Sequence, residues 1–564
     1  MHQPYYDAVN VDYWDGEKDG IFAQRQGPYT RFIPEAVWQY IHGGLSHAGL
    51  STSWSGSLIE QLDRCADTGR ANGVFQNWQQ GLCEVAQYKT AFGHPRINFT
   101  AFGYFHPLMP LIPERDVIGQ IEWHREIVQQ TFGIPATDVL FPPETAFQAH
   151  LIPALKKAGV NVVIYDSIHH FRACQNYPYA GICEGMLPPN PADQLNPPVD
   201  DWLQLNNVWG PSKISPQLLK PCLLTYTDHV NKVHEIIGIP AERYLGNEDA
   251  RGGYGALQYE QVMGQIYDQL VKTQSYDPKH PPFFILHSDG DNHGGGAESY
   301  YTSNTGRLVE MCQNDPRFQL IGIQDYLQQF PVDPENKVHI EAGSWAGADN
   351  GDPQFTKWFS MAEQEYSPDL NSWAVLTALQ NLVHSVEDAG ETGDLYHHLR
   401  RLLYTAETSC YWYWTGQAVW DGQVTKAANQ ACTLAGYLIN QLVRQDKTAP
   451  SIFMPWVRPA NPGGKMWGNN CLTDAPEEAT FRTFVYDIAG VKSVVLHYFT
   501  GESKTKSVEM EDLGSYPSQT QTSIVANQYI VTLPKGTGNI RYFVEAIDAK
   551  GNTAYSPVGQ VFIA

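Results

Sequence analysis

Apolar and polar residues alternate in three regimes along this chain. Over the first 330 positions, short apolar runs alternate with helical patterns. Val139-Leu-Phe141 is one such run, closed by Pro142 and Pro143, neither of which can donate to a sheet ladder. Glu144 stands in the stop itself. Leu151, Leu155 and Ala158 then recur at helical spacing, predicting a helix over 149–158 and a strand over 160–165. A helix is expected over 115–132, and the aromatic run ending at His106-Pro107 marks another strand end. Residues 53–62 read as a strand end entering a helix, and 166–170 as a strand-end loop. Residues 259–273 form an amphipathic pattern leading into the apolar run 283–286, and 320–330 read as strand then helix. The alternation of roughly seven strands with helices predicts βαβ units and a parallel sheet. The Pro- and Asn-rich stretch 188–198 is expected to be a long excursion.

From Pro331 the pattern changes. Trp373, Leu376, Leu379 and Val383 recur at helical spacing, as do residues within 395–403 and 427–443, which predicts a helical bundle. Residues 447–470 are Pro- and Gly-rich and read as a linker. From 480 onward the apolar positions alternate, with turn clusters at 487–490 and 548–552. That predicts an immunoglobulin-like β-sandwich of about 90 to 115 residues. The expected fold is therefore α/β, with domains over 1–330, 331–446 and 447–564.

Size and composition narrow the function. The 564 residues are 42% hydrophobic and 12% aromatic, ample for several cores. A net charge of -23 argues against nucleic acid and anionic membranes, and suits a neutral substrate. Fifteen Trp and 31 Tyr supply apolar faces of the kind that sugar rings stack on, although aromatics also serve as ordinary core material. The nine cysteines are odd in number and contain no CxxC pair, so buried free thiols are expected, with Cys174 and Cys183 the one pair placed to close a small loop. No run of about 20 apolar residues suggests a membrane span. A signal peptide is also not evident, which leans toward the cytoplasm, while the abrupt Met1-His-Gln-Pro opening leaves room for chain upstream.

Two acidic residues carry the candidate chemistry. Glu144 ends one apolar run, and Asp289 ends another within Ser288-Asp-Gly-Asp-Asn-His-Gly294. On local pattern alone, Glu144 equally suits the first turn of the following helix, where its charge meets the helix dipole. Strand ends are where α/β barrels keep their chemistry, and paired carboxylates across a cleft are what glycoside hydrolysis needs. Asp291 is the obvious neighbour to keep a proton on Asp289, and His293 is expected to be a hydrogen-bonder in the cleft. The spacing Asp289-x-Asp-x-x-Gly294 resembles a calcium loop, but its twelfth position is Tyr300 and not the required Glu. Adjacent His169 and His170 offer ligand atoms, yet such pairs commonly sit in a loop. In Ser409-Cys-Tyr-Trp-Tyr-Trp414, four consecutive aromatics cannot share one helix face, so some should line a cleft.

These segments resemble glycoside hydrolase family 57. His2-Gln-Pro4, Tyr104-Phe-His-Pro107, Phe141-Pro-Pro-Glu144 and Ser288-Asp-Gly-Asp-Asn292 are similar to its first four segments, in the same order. Gly343-Ser-Trp345 and 409–420 fall where the family has a Gly-Ser-Trp and its fifth segment, so the likeness covers about residues 1–440. The resemblance implies an incomplete (β/α)7 barrel, a helical domain completing the cleft, and retention of configuration on α-glycosidic substrates. It implies Glu144 as nucleophile, Asp289 as acid/base, and no metal or other cofactor. It further implies that His2 and His106 line the sugar site, with Trp345, Trp412 and Trp414 as platforms or gates. Pro142, Asp291 and the pair Ile97-Asn98 depart from the family pattern and bear on substrate choice. The expected partner is an oligo- or polysaccharide. The pattern points to a retaining glycosidase acting on α-glucans, with a 4-α-glucanotransferase or branching enzyme and an α-galactosidase as alternatives; a catalytically silent glycan-binding protein is a further alternative, against which the intact pair Glu144 and Asp289 argues.

Overall fold

The computed structural model describes residues 1–10, 16–178, 187–206, 213–242, 259–287, 289–291, 304–347, 351–359, 367–414, 416–461, 465–468, 471–474, 477–501, 505–517 and 521–564. Its N-terminal half is α/β. Strands Leu50–Thr52 and Ile97–Phe99 pair in parallel, and Ala101 bridges Leu140 in parallel, which leads on to a five-stranded sheet. In that sheet Val139–Leu140, Val162–Asp166 and Val233–Ala241 run parallel. Cys222–Thr227 then runs antiparallel to Val233–Ala241, so the sheet is mixed and not wholly parallel as the alternation predicts. The reason is local: Asp228-His-Val-Asn-Lys232 is a tight turn, with Asp228 Oδ1 accepting from Val230 N and Lys232 N, and it folds the chain back as a hairpin.

The strand ends feed helices as the pattern requires. Ser55 caps Gly56–Thr68, its hydroxyl accepting from Leu58 N at 3.2 Å. Helix Glu114–Phe132 ends at Gly133 in the left-handed region, where glycine carries no Cβ penalty. The run 283–286 pairs through Phe283 N to Leu219 O but joins no strand ladder, and neither does 320–322. Their side chains still pack inward: Phe283, Ile323 and Tyr326 share a core with Val139, Val162, Ile164 and Ile239.

Helices Pro368–Asp388, Asp394–Ala406 and Ala418–Ala435 form the predicted bundle, and Ile439–Gln445 is a separate short helix after a break. The C-terminal part contains two five-stranded antiparallel sheets facing each other over one apolar core that includes Phe481, Leu496, Tyr542, Val544 and Ile563. Seven cysteines are free among the described residues, and Cys183 lies outside them. No helix among the described residues is long and apolar enough to cross a membrane.

Candidate functional site

Glu144 sits on a strained turn. Pro142 is extended, and Pro143–Thr145 then forms a short helical turn in which Glu144 (φ 58°, ψ 17°) and Thr145 (φ 51°) are left-handed. A non-glycine residue there costs about 1 kcal/mol or more, a strain that surrounding contacts must hold in place. The contacts are present. Trp345 N donates to Glu144 O at 3.0 Å, and Trp345 Nε1 donates to Oε2 at 2.5 Å. Ser409 Oγ donates to Oε1 at 2.8 Å. Trp345 reaches this point because residues 343 and 147 exchange backbone hydrogen bonds, and a Cβ on Gly343 would lie 2.2 Å from His169 Cε1. Burial raises the Glu144 pKa above the usual carboxylate value, and the charge of Asp289 adds to it, while Trp345, Ser409 and Lys357 oppose the rise.

His106, also left-handed at φ 61°, places Nδ1 3.6 Å from Glu144 Oε1 and 2.8 Å from Ser409 Oγ. Ser409 has one hydroxyl proton. If it goes to Glu144, His106 carries its proton on Nδ1 and donates to Ser409. Burial pushes the His106 pKa down to about 3, so the ring is neutral. His2 stacks on it, centroids 4.4 Å apart and planes at 8°, and is anchored through Nδ1 to Ser55 Oγ at 2.8 Å. The N-terminal segment thus forms a wall of the site.

Asp291, expected as the neighbour of Asp289 and as a substrate-binding residue, is turned to internal use. It is 8% exposed, and Oδ2 accepts from His2 N at 3.2 Å and Tyr29 Oη at 3.0 Å, with Arg25 Nη1 at 3.6 Å. Asp289 is exposed, and its charge is felt by Glu144, Arg25 and the Met1 amine. Both carboxylates therefore belong to one electrostatic neighbourhood. His293, and the calcium-like loop beyond Asp291, lie outside the described residues.

The aromatic segment divides. Trp412 is 0% exposed, stacked on Trp373 at 3.9 Å and donating Nε1 to Asp369 O at 3.1 Å. It is core, which corrects its assignment as a platform. Trp414 is 48% exposed and Trp345 36%, with Tyr413 between them at centroid distances of 4.9 Å and 6.2 Å. Lys357 Nζ lies 5.9 Å from the Tyr413 ring centroid. His169 and His170 are buried on the short helix Ser167–Arg172 and not in a loop, with His170 Nδ1 3.2 Å from Tyr165 Oη. One carboxylate group lies within metal-holding distance among the described residues, Asp446, Asp487 and Asp548, at the linker and sandwich turns. Ser409 lies in a segment that the sequence marks only for its aromatics, and Lys357, Tyr29 and Arg25 carry no local signal; only the fold brings them here.

Residues 1–183 match the family profile described as Glycosyl hydrolase family 57. Over 424 residues the chain is 22% identical to an alpha-amylase of Niallia circulans, covering 70% of this chain and 31% of that one. Alpha-amylase 1 of Dictyoglomus thermophilum is 28% identical over 76 residues, 14% of this chain and 11% of the other. The chain therefore spans less than a third of the length of these curated relatives. Among solved structures, a family 57 branching enzyme from Thermococcus kodakaraensis, crystallised with glucose and additives, superposes with TM-score 0.50 at 13% identity, covering 79% of this chain and 90% of that one. A family 57-type branching enzyme from Pyrococcus horikoshii gives TM-score 0.50 at 14% identity, covering 78% and 90%. At these identities the likeness speaks to the α/β fold. The family match over residues 1–183 covers the first three of the motifs that carry the resemblance.

Proposed function

We propose that this protein is a retaining glycosidase acting on α-glucans, with α-1,4 and also α-1,6 linkages in range. The observation that carries this is the Glu144 carboxylate, fixed by Trp345 and Ser409 on a strained turn and sensing the charge of Asp289. Glu144 attacks the anomeric carbon while protonated Asp289 gives its proton to the leaving oxygen. Asp289 then takes a proton from water, whose oxygen displaces Glu144 and restores the carboxylate. When a sugar hydroxyl replaces water, the same steps give transfer. The exposed Trp345 and Trp414, with half-buried Tyr413 between them, favour that alternative, because sugar-binding faces beside the nucleophile hold an acceptor and displace water.

We infer the finer architecture in the same terms: a (β/α)7-type barrel over 1–330, a helical domain over 331–446 that completes the cleft, and an immunoglobulin-like sandwich after a linker from 447. The two facing antiparallel sheets support the sandwich, while the N-terminal sheet takes its edge strand, Lys337–Val338, from just beyond residue 330.

A fluorinated α-glucosyl fluoride should label Glu144 covalently, and Glu144→Gln should abolish turnover on maltooligosaccharides and amylose. Full activity in that variant removes the nucleophile. Product analysis separates hydrolysis from transfer or branching, and an α-galactoside series tests the other sugar class. Binding without turnover in the wild type would mark a silent glycan-binding protein.

A further inference from the structure

Behind the Glu144 turn lies a buried polar cluster that the chemistry above does not use. Gln120, on helix Glu114–Phe132, accepts from Phe105 N through Oε1 at 2.9 Å and donates through Nε2 to Glu407 Oε2 at 2.8 Å. Gln380, on helix Pro368–Asp388, donates to Glu407 Oε1 at 3.1 Å. Gln120 and Glu407 are both 0% exposed. Asp116 faces the same carboxyl. Its Oδ1 lies 2.8 Å from His384 Nε2, and its buried Oδ2 has no amide, ring or hydroxyl donor.

The cluster joins the two chain segments that grip the candidate nucleophile. Phe105 precedes His106, and Glu407 stands just before Thr408 and Ser409. Residues 107 and 408 form an antiparallel bridge, and Ser409 N donates to His106 O at 2.9 Å. From this pair of segments His106 and Ser409 project toward Glu144 Oε1. The left-handed backbone of His106 needs restraint, and Gln120 supplies it one residue away.

We propose that Glu407, acting through Gln120, is a positioning residue that locks segments 105–107 and 407–409 together, so that His106 and Ser409 meet Glu144 in a single geometry. This rests on Glu144 being the nucleophile. Glu407 acts as the neutral acid: its O–H donates to the orphaned Asp116 Oδ2, and its oxygens accept from Gln120 and Gln380. Burial, then the charge of Asp116, keeps the proton in place. The other titratable groups around it are His384 on Asp116, and Tyr404 on its own helix with Arg400 on the Tyr404 hydroxyl at 2.9 Å.

The test compares Glu407→Gln, Glu407→Leu and Gln120→Leu in the full chain. Glutamine keeps a neutral side chain whose oxygen accepts from Gln120 and whose amide donates to Asp116, with the Gln380 amide turned to present its oxygen, so E407Q should keep kcat within about threefold of wild type and leave the pH profile unchanged. E407L and Q120L should lower kcat about 100-fold, the scale of small misplacements, with KM little changed. Hydrogen exchange over 102–109 and 405–412 should quicken in E407L and Q120L and not in E407Q. Wild-type kcat and exchange in a folded E407L would overturn the proposal, as would an E407Q as impaired as E407L, since a carboxylate charge would then be needed. If E407L does not fold, Q120L carries the same comparison. If Glu144→Gln proves active, the nucleophile assignment falls, and the exchange data alone decide the positioning.

Discussion

Trp345 and Glu144 are tied to each other twice, indole nitrogen to carboxylate oxygen at 2.5 Å and backbone nitrogen to backbone oxygen at 3.0 Å. The second bond holds the left-handed turn, and the first sets the charge of the side chain. The tie makes Trp345 part of the acid–base balance of the site as well as a surface for a sugar.

Trp345→Phe therefore tests the charge. Glu144 must be ionised to attack, so activity is lost as pH falls through its raised pKa. Removing the indole N–H removes a group that lowers that pKa. The acid limb of kcat/KM should move to higher pH in W345F, and the rate at low pH should drop about tenfold or more. An acid limb that stays in place would show that the hydrogen bond does not act on Glu144.

Asp289 is expected to matter in proportion to the leaving group. Asp289→Ala should lower hydrolysis of unactivated α-glucans by about 10² to 10⁴. Aryl α-glucosides with acidic leaving groups need no proton, so their first step should be nearly spared, and added azide should then speed release of the glycosyl-enzyme. Equal losses on both substrate types would remove Asp289 as the acid.

The two neighbouring tryptophans should give opposite phenotypes. Trp412→Ala empties a stacked core position and should cost about 3 to 5 kcal/mol of stability, measured by denaturant unfolding. Trp414→Ala should leave stability within about 0.5 kcal/mol and raise KM for long glucans more than for short ones.

The helical region should show its own pH dependence. Asp421 lies beside Asp369 in the interior, and burial with that neighbour pushes its pKa up to about 8. The folded state then binds more protons than the unfolded chain between about pH 4 and about pH 8, so stability falls as pH rises across that window. Asp421→Asn should raise the melting temperature above wild type at pH 9 and lose that advantage near pH 5. A difference independent of pH would refute the linkage.

What the sequence made legible follows interaction range. The proline stop behind Leu140 marks the Glu144 turn because a missing N–H is a property of the residue itself. Helical periodicity finds Pro368–Asp388 for the same reason. The same periodicity says that four aromatics at 411–414 must diverge, but not that Trp412 turns inward, because Trp373 decides that from another helix. Asp291 reads as a neighbour of Asp289 along the chain, whereas its partners His2, Tyr29 and Arg25 arrive only by folding. The antiparallel strand Cys222–Thr227 turns on the short loop at Asp228, whose side-chain bonding no hydrophobic pattern records.

The C-terminal sheets are sewn into the helices. Phe453, Trp456, Phe484 and Tyr516 belong to the same apolar cluster as Trp373 and Trp412. Ala526 N bonds Ala374 O at 3.1 Å, and Ile488 N bonds Asn381 Oδ1 at 2.8 Å. Arg541 Nη2 also reaches Thr227 O at 2.8 Å, at the tip of the N-terminal hairpin. A protein engineer could not lift this region off as a detachable tag: shortening the chain at 450 would strip the lining from the wall that carries Ser409. Whatever the sheets contribute to holding a polysaccharide must be found by altering their outer face, with the buried seam left whole.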